Sequence, residues 1–103
     1  MQEYFFEDRI YYRKNEFRLG RQTLVFVHGA AGSSSAWLPY EKIFEIKYNV
    51  LVYDIRGHGK SKKFPKYSDY EMGNFANDLH DLILHLNIQK FVLVCNSFGA
   101  LIG

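Results

Sequence analysis

Apolar and polar positions follow two different periods along this chain. Thr23 to Val27 (Thr-Leu-Val-Phe-Val) is a continuous apolar run that ends at a Gly-rich stretch, and Asn49 to Tyr53 and Lys90 to Cys95 read the same way. Without alternation, each run suits a strand buried on both faces, as a parallel central sheet requires. Upstream, the aromatic and β-branched segment Arg9 to Lys14 predicts a strand, and Glu7-Asp8 reads as the turn from a shorter strand at Tyr4 to Phe6. Between the apolar runs the helical period takes over. Trp37 to Ile46 sets Trp37, Tyr40, Ile43 and Phe44 on one face, with Pro39 in the first turn where its missing N–H is harmless. Met72, Phe75, Ala76, Leu79, Leu82, Ile83 and Leu86 predict a longer helix. Ser68 and Glu71 read as a capping box ahead of it, and Asn87 as its C-cap. Alternating strands and helices imply an α/β fold, a mostly parallel sheet with helices on its faces, in one domain over residues 1–103.

Composition narrows the function classes. With 48% hydrophobic and 23% charged residues the chain falls among ordinary globular proteins, away from disordered or collagen-like ones. A net charge of +2, evenly scattered, argues against a nucleic-acid partner or an anionic membrane surface. One Cys excludes an internal disulfide. The apolar runs are far shorter than the ~18 residues of a membrane span. Met1-Gln2-Glu3-Tyr4 is not followed by the apolar core of a signal peptide, so a cytoplasmic location is expected.

In an open α/β sheet the chemistry gathers beyond the carboxyl ends of the strands. Three such ends carry unusual sequence: His28-Gly29-Ala30-Ala31-Gly32-Ser33-Ser34, Asp54-Ile55-Arg56-Gly57-His58-Gly59-Lys60-Ser61, and Cys95-Asn96-Ser97-Phe98-Gly99-Ala100. A Ser at a sharp strand-to-helix turn needs small neighbours two positions away; Gly99 and Ala100 meet that need, and Cys95 is small although it has a Cβ. There the Phe98 N–H would point at a developing oxyanion, and the Gly-rich turn after the first buried strand leaves the Ala30 N–H free as a second donor. Each segment also has a plainer explanation, as a helix cap or a flexible turn. Gly59-Lys60-Ser61 mimics the end of a phosphate-binding loop, but Asp54 holds the place of that loop's first Gly, and Phe64-Pro65 interrupts the helix that should follow. A tight turn tied by Asp54 and Arg56 accounts for it better.

Together and in this order, the three segments resemble the N-terminal half of a Ser-nucleophile α/β-hydrolase. His28-Gly29-x-x-Gly32-Ser33 resembles the family's oxyanion loop, Asp54-x-Arg56-Gly57-His58-Gly59-x-Ser61 its turn after the next strand, and Asn96-Ser97-Phe98-Gly99 its nucleophile elbow. The resemblance implies Ser97 as nucleophile, the backbone N–H groups of Ala30 and Phe98 as oxyanion donors, and His28, Gly29 and Gly32 as support for the loop. It implies attack on an ester, lactone or related acyl carbon through an acyl-enzyme, in the manner of small esterases, lactonases, C–C hydrolases and iminopeptidases, with no cofactor. Cys95 departs from the family's usual Gly. A dehalogenase-like or epoxide-hydrolase-like mechanism needs an Asp where this chain has Ser97.

In this family the triad acid and His follow the Ser in chain order, and the sequence given continues only to Gly103. The expectation is a partial domain with little turnover of its own. The alternative expectation is a non-catalytic half-domain that meets a complementing chain, or another copy, through an open sheet edge. Among upstream residues, His28 reads as structural, His58 as a turn residue near the cleft, and His80 and His85 as solvated helix positions. No His or Cys spacing implies a metal site. Lys60, Lys62, Lys63 and Lys66 read as a solvated loop, and Cys95 as a small apolar residue.

Overall fold

The computed structural model describes residues 1–29 and 32–96. Five strands form a single sheet: β1 (Gln2–Phe6), β2 (Ile10–Lys14), β3 (Thr23–Val27), β4 (Asn49–Tyr53) and β5 (Val92–Cys95), in the spatial order β1-β2-β4-β3-β5. β3 is parallel to β4 on one side and to β5 on the other. β1 and β2 form an antiparallel hairpin, and β2 joins β4 antiparallel, so the parallel character predicted from the apolar runs is confined to β3, β4 and β5. Every residue of β3 and β4 is buried, which is why neither shows alternation. In the hairpin turn Glu7 and Asp8 both take positive φ, the twist that joins antiparallel strands most easily.

A helix covers each face. α2 (Met72–His85) lays Phe75, Leu79, Leu82 and Ile83 on the face made by Val25, Val27, Leu51 and Tyr53. Its end is a Schellman motif: Asn87 sits at φ +54, its N–H donates to the Leu84 carbonyl, and the Ile88 N–H donates to that of Ile83. The predicted C-cap residue is thus the left-handed one. Its N-terminus differs from expectation. Tyr67–Tyr70 forms a 3-10 turn, Glu71 is itself the capping position, and no side chain caps the helix. Ser68 therefore belongs to the preceding turn, where its carbonyl accepts from Asn74 Nδ2 at 2.9 Å.

α1 (Leu38–Phe44), preceded by a 3-10 turn at Ser34–Trp37, covers the opposite face, where Trp37 and Phe44 pack on Phe26, Val50 and Val52. The inward face of this region is not the predicted one: Ile43 is 64% exposed and Tyr40 48%, while Glu41 is buried. The reason lies on β2. Arg13 projects onto this face and forks onto Glu41, Nη2 to Oε2 at 2.7 Å and Nε to Oε1 at 3.1 Å. Burial works against the Arg13 charge, but the Glu41 carboxylate and the Tyr11 hydroxyl outweigh it and move its pKa up.

β5 lies at the edge of the described sheet. Val92 is 47% exposed, and beside the strand an open apolar groove of about 430 Å³ runs between Leu24, Phe26 and Val94 and the side chains of Trp37, Tyr40 and Phe44.

Candidate active site

The carboxyl ends of β3, β4 and β5 lie side by side, because Val27 is in register with both Tyr53 and Cys95. The three strands therefore end at one level. The β5 pairing continues one residue past the strand, as the Asn96 N–H donates to the Val27 carbonyl at 3.2 Å. Ser97, Phe98 and Ala30 lie outside the described residues.

His28, the first residue beyond β3, is 1% exposed. Its Nδ1 is 2.7 Å from the Gly29 carbonyl oxygen, which can only accept, so Nδ1 carries the proton and Nε2 accepts the Ile55 N–H at 3.0 Å. Both nitrogens are occupied by backbone. Burial lowers its pKa, against the pull of the Gly29 carbonyl and Asp54, which keeps the ring neutral in that tautomer. An imidazole bound this way ties two loops together and has no free lone pair to serve as a base. The turn it supports is closed by Gly32, whose N–H donates to the Gly29 carbonyl at 3.2 Å; a Cβ at Gly32 would stand 3.2 Å from that same oxygen.

The turn after β4 is organised by Asp54, which is 2% exposed. Its two oxygens accept different amides: Oδ1 that of Ser34 at 2.6 Å and Oδ2 that of Lys60 at 2.8 Å. Ser61 completes a ring of bonds to β2. Its hydroxyl donates to the Asp54 carbonyl at 2.6 Å and accepts the Tyr11 N–H at 2.9 Å, while the Asp54 N–H donates to the Tyr11 carbonyl. Gly57 adopts φ +77, and a Cβ there would meet the Tyr70 ring at 2.5 Å.

Arg56 does not close this turn on itself, as its place in the sequence implies. It reaches across to α2 and binds the Asp78 carboxylate twice, Nε to Oδ2 at 2.8 Å and Nη2 to Oδ1 at 2.9 Å, with its plane over Phe64. Arg9 pairs with the same carboxylate from the hairpin turn just before β2. Asp78 is absent from the sequence prediction, although a signal exists: it lies between Phe75 and Leu82 on the buried stripe of α2, where a carboxylate needs a cationic partner.

His58 stands beside His28, ring centroids 5.4 Å apart, with Nδ1 donating to the Arg56 carbonyl at 2.9 Å. A cavity of about 290 Å³ opens at this end of the sheet, walled by His28, Gly29 and Gly32 on one side, Trp37 and Tyr40 on another, and Asn96 at the β5 end. Burial pushes the Cys95 thiol up, away from thiolate character. Among the described residues no three His, Cys, Asp or Glu side chains converge as a metal site, and no helix is long and apolar enough to cross a membrane.

A family model for the alpha/beta hydrolase fold matches residues 22–103, most of the chain. The chain belongs to the α/β-hydrolase family. Among curated relatives, RutD of Escherichia coli O44:H18 (strain 042), named as a carbamate hydrolase, is 34% identical over 80 residues, covering 78% of this chain and 29% of RutD. Among solved structures, the α/β hydrolase MGS-M2 from a deep-sea metagenome library superposes with a TM-score of 0.85 at 25% identity, over 98% of this chain and 37% of that one. The epoxide hydrolase VrEH1 of Vigna radiata superposes with a TM-score of 0.80 at 21% identity, over 91% and 30%, a likeness of fold alone. The chain thus spans about three-tenths of the length of the curated relatives it matches. It carries the N-terminal strands and helices of their fold.

Proposed function

We propose that this chain is the nucleophile-bearing part of a serine hydrolase, with Ser97 attacking an acyl carbon. The observation that carries this reading is the arrangement of the three strand ends: Asn96, which precedes Ser97 in the sequence, is hydrogen-bonded to the end of β3 and walls one cavity together with His28, Gly29 and Gly32. The small neighbours of Ser97 in the sequence and the family relationship support it further. In the proposed step the Ser97 oxygen forms a bond to the carbonyl carbon as its proton passes to a base. The developing oxyanion is met by the Ala30 and Phe98 amides, and the bond to the leaving group breaks as that group takes a proton. Water then releases the acyl group. Esters, lactones and, from the name of RutD, carbamates all present such a carbon. The base is not His28, since both of its nitrogens are held by backbone.

The test is labelling of the chain by a fluorophosphonate, in which the serine oxygen displaces fluoride from phosphorus. The expected result is one label per chain, on the peptide that contains Ser97, lost in Ser97→Ala. No label, or one that persists in Ser97→Ala, overturns the assignment.

A second reading, a half-domain that associates through its sheet, is favoured by the exposed β5 edge and the apolar groove beside it. It predicts dimers or larger species in sedimentation velocity at micromolar concentration, and a strict monomer would count against it.

A further inference from the structure

We propose that Asp54 is a positioning residue for the loop between β3 and α1, and that it works by fixing the far end of that loop to the turn after β4. The proposal rests on the reading of this loop as the carrier of an oxyanion donor.

The loop is held at both ends by two consecutive residues. At its start, His28 takes the Ile55 amide on Nε2 and donates from Nδ1 to the Gly29 carbonyl. At its end, the Ser34 amide donates to Asp54 Oδ1. Ser34 is 1% exposed, and its remaining polar atoms are also committed, the hydroxyl and carbonyl both accepting from Arg13 at 2.9 and 3.0 Å. The span from Gly29 to Ser34 therefore has fixed termini on a rigid sheet, which is how an amide comes to be preorganised toward an oxyanion.

The chemistry at residue 54 has to be a carboxylate. Two amides, Ser34 and Lys60, approach it from different loops, and each takes one oxygen. An amide side chain has a single oxygen and would turn its own N–H toward one of these donors, leaving a buried donor against a donor. The space is shaped for the carboxylate as well. A Cβ at Gly59, which sits at φ +51, would come within 2.3 Å of Asp54 Oδ2. No side chain fits there while Lys60 keeps its bond. A residue serving only to close the turn would need the Lys60 contact; the Ser34 contact joins the turn to the loop.

The experiment compares the whole chain with Asp54→Asn by hydrogen exchange and by fluorophosphonate labelling, at a temperature where both are folded. Expected is at least a tenfold faster exchange in peptides covering residues 29–36, with Met72–His85 unchanged, and a labelling rate constant about tenfold lower. Tenfold is what one lost hydrogen bond of about 1.4 kcal/mol gives. Unchanged exchange at residues 29–36, or an equal rise in α2, overturns the proposal, because the first means no clamp and the second only lost stability. Should Asp54→Asn fail to fold, Asp54→Glu, which keeps the charge but moves the oxygen that takes the Ser34 amide, is read identically. A wild-type chain that takes no label overturns the Ser97 reading and leaves the exchange comparison to decide the clamp. A labelled wild type matched in rate by Asp54→Asn overturns the positioning role.

Discussion

Replacing Asp78 with Ala removes the anion at the centre of a buried charge cluster, and the size of the loss follows from what each partner keeps. Asp78 is 2% exposed and accepts from Arg56 at 2.8 and 2.9 Å and from Arg9. Breaking a buried ion pair from one side costs about 3–5 kcal/mol, chiefly because the surviving charge is left desolvated and unpaired. The two arginines differ in that respect. The Arg9 side chain is 20% exposed and retains Glu7 at 2.9 Å and Asp81 at 3.4 Å, so it relaxes toward water with little penalty. The Arg56 side chain is 12% exposed and retains the Asp69 carbonyl and the Phe64 face but, among the described residues, no carboxylate. One stranded cation, not two, puts the expected loss near the lower end, about 3 kcal/mol. For a domain of this length each kcal/mol moves Tm by about 4–8 °C, so the midpoint should fall by more than 10 °C. Urea melts followed by circular dichroism and Trp37 fluorescence measure the free energy, and thermal melts the midpoint. The double variant Arg56→Met, Asp78→Leu separates charge from packing, since removing both charges should recover most of the loss. An Asp78→Ala chain within 1 kcal/mol of wild type, or a double variant no more stable than the single one, refutes the reasoning.

His28 predicts a particular acid sensitivity. Its folded pKa lies below the ordinary 6.5, so below pH 6.5 the unfolded chain binds the proton that the folded chain refuses. Stability from this group is complete above pH 6.5 and falls as pH drops, by up to about 1.4 kcal/mol per unit until the folded pKa is reached. Urea melts between pH 7 and 5.5 should show that slope in wild type and its loss in His28→Gln; equal slopes would rule the mechanism out. At the sheet edge, Val92→Lys places a charge on the exposed strand and should shift sedimenting species toward monomer while leaving Tm within error. Species that persist unchanged would mean association uses another surface.

β3 and β4 are legible in the sequence because burial on both faces erases alternation, and both are buried at every position. β5, whose apolar run reads the same way, is a strand but is exposed at Val92 and only part-buried from Leu93 to Cys95, because it lies at the edge of the described sheet. α2 is legible for a related reason, a single apolar stripe that ends at Asn87, one of the residues that tolerates positive φ. The failures have two physical origins, one distant and one local. Ile43 obeys the helical period yet faces solvent, while Glu41 turns inward, because the partner that decides the matter is Arg13, 28 positions upstream. Ser68 and Glu71 have the spacing of a capping box, but spacing does not say whether the first turn is α or 3-10. In the candidate site the residue types of the three strand-end segments are plain in the sequence. Which amides of a neighbouring loop His28 and Asp54 take is not, since the His28–Ile55 and Asp54–Ser34 bonds join positions 27 and 20 residues apart.

The hairpin contributes more than two extra strands. The matched family region begins at residue 22, yet both buried carboxylates on the helices are answered by arginines of the preceding segment: Arg13 meets Glu41 of α1 on one face, and Arg9 meets Asp78 of α2 on the other. Without that segment Asp78 would still have Arg56, but Glu41 would lose both of its described side-chain hydrogen bonds while remaining against the sheet. Ser34 would lose both of its bonds to Arg13, one at its hydroxyl and one at its carbonyl, and keep the one its amide makes to Asp54. The β1–β2 hairpin therefore acts on the candidate site through Arg13, by holding the same serine that Asp54 holds from the other side. An ion pair of this kind adds little net stability over an apolar contact, so its value here lies in orientation: it sets how α1 and the start of its approach sit on the sheet, and with them the Ser34 end of the loop that begins at His28.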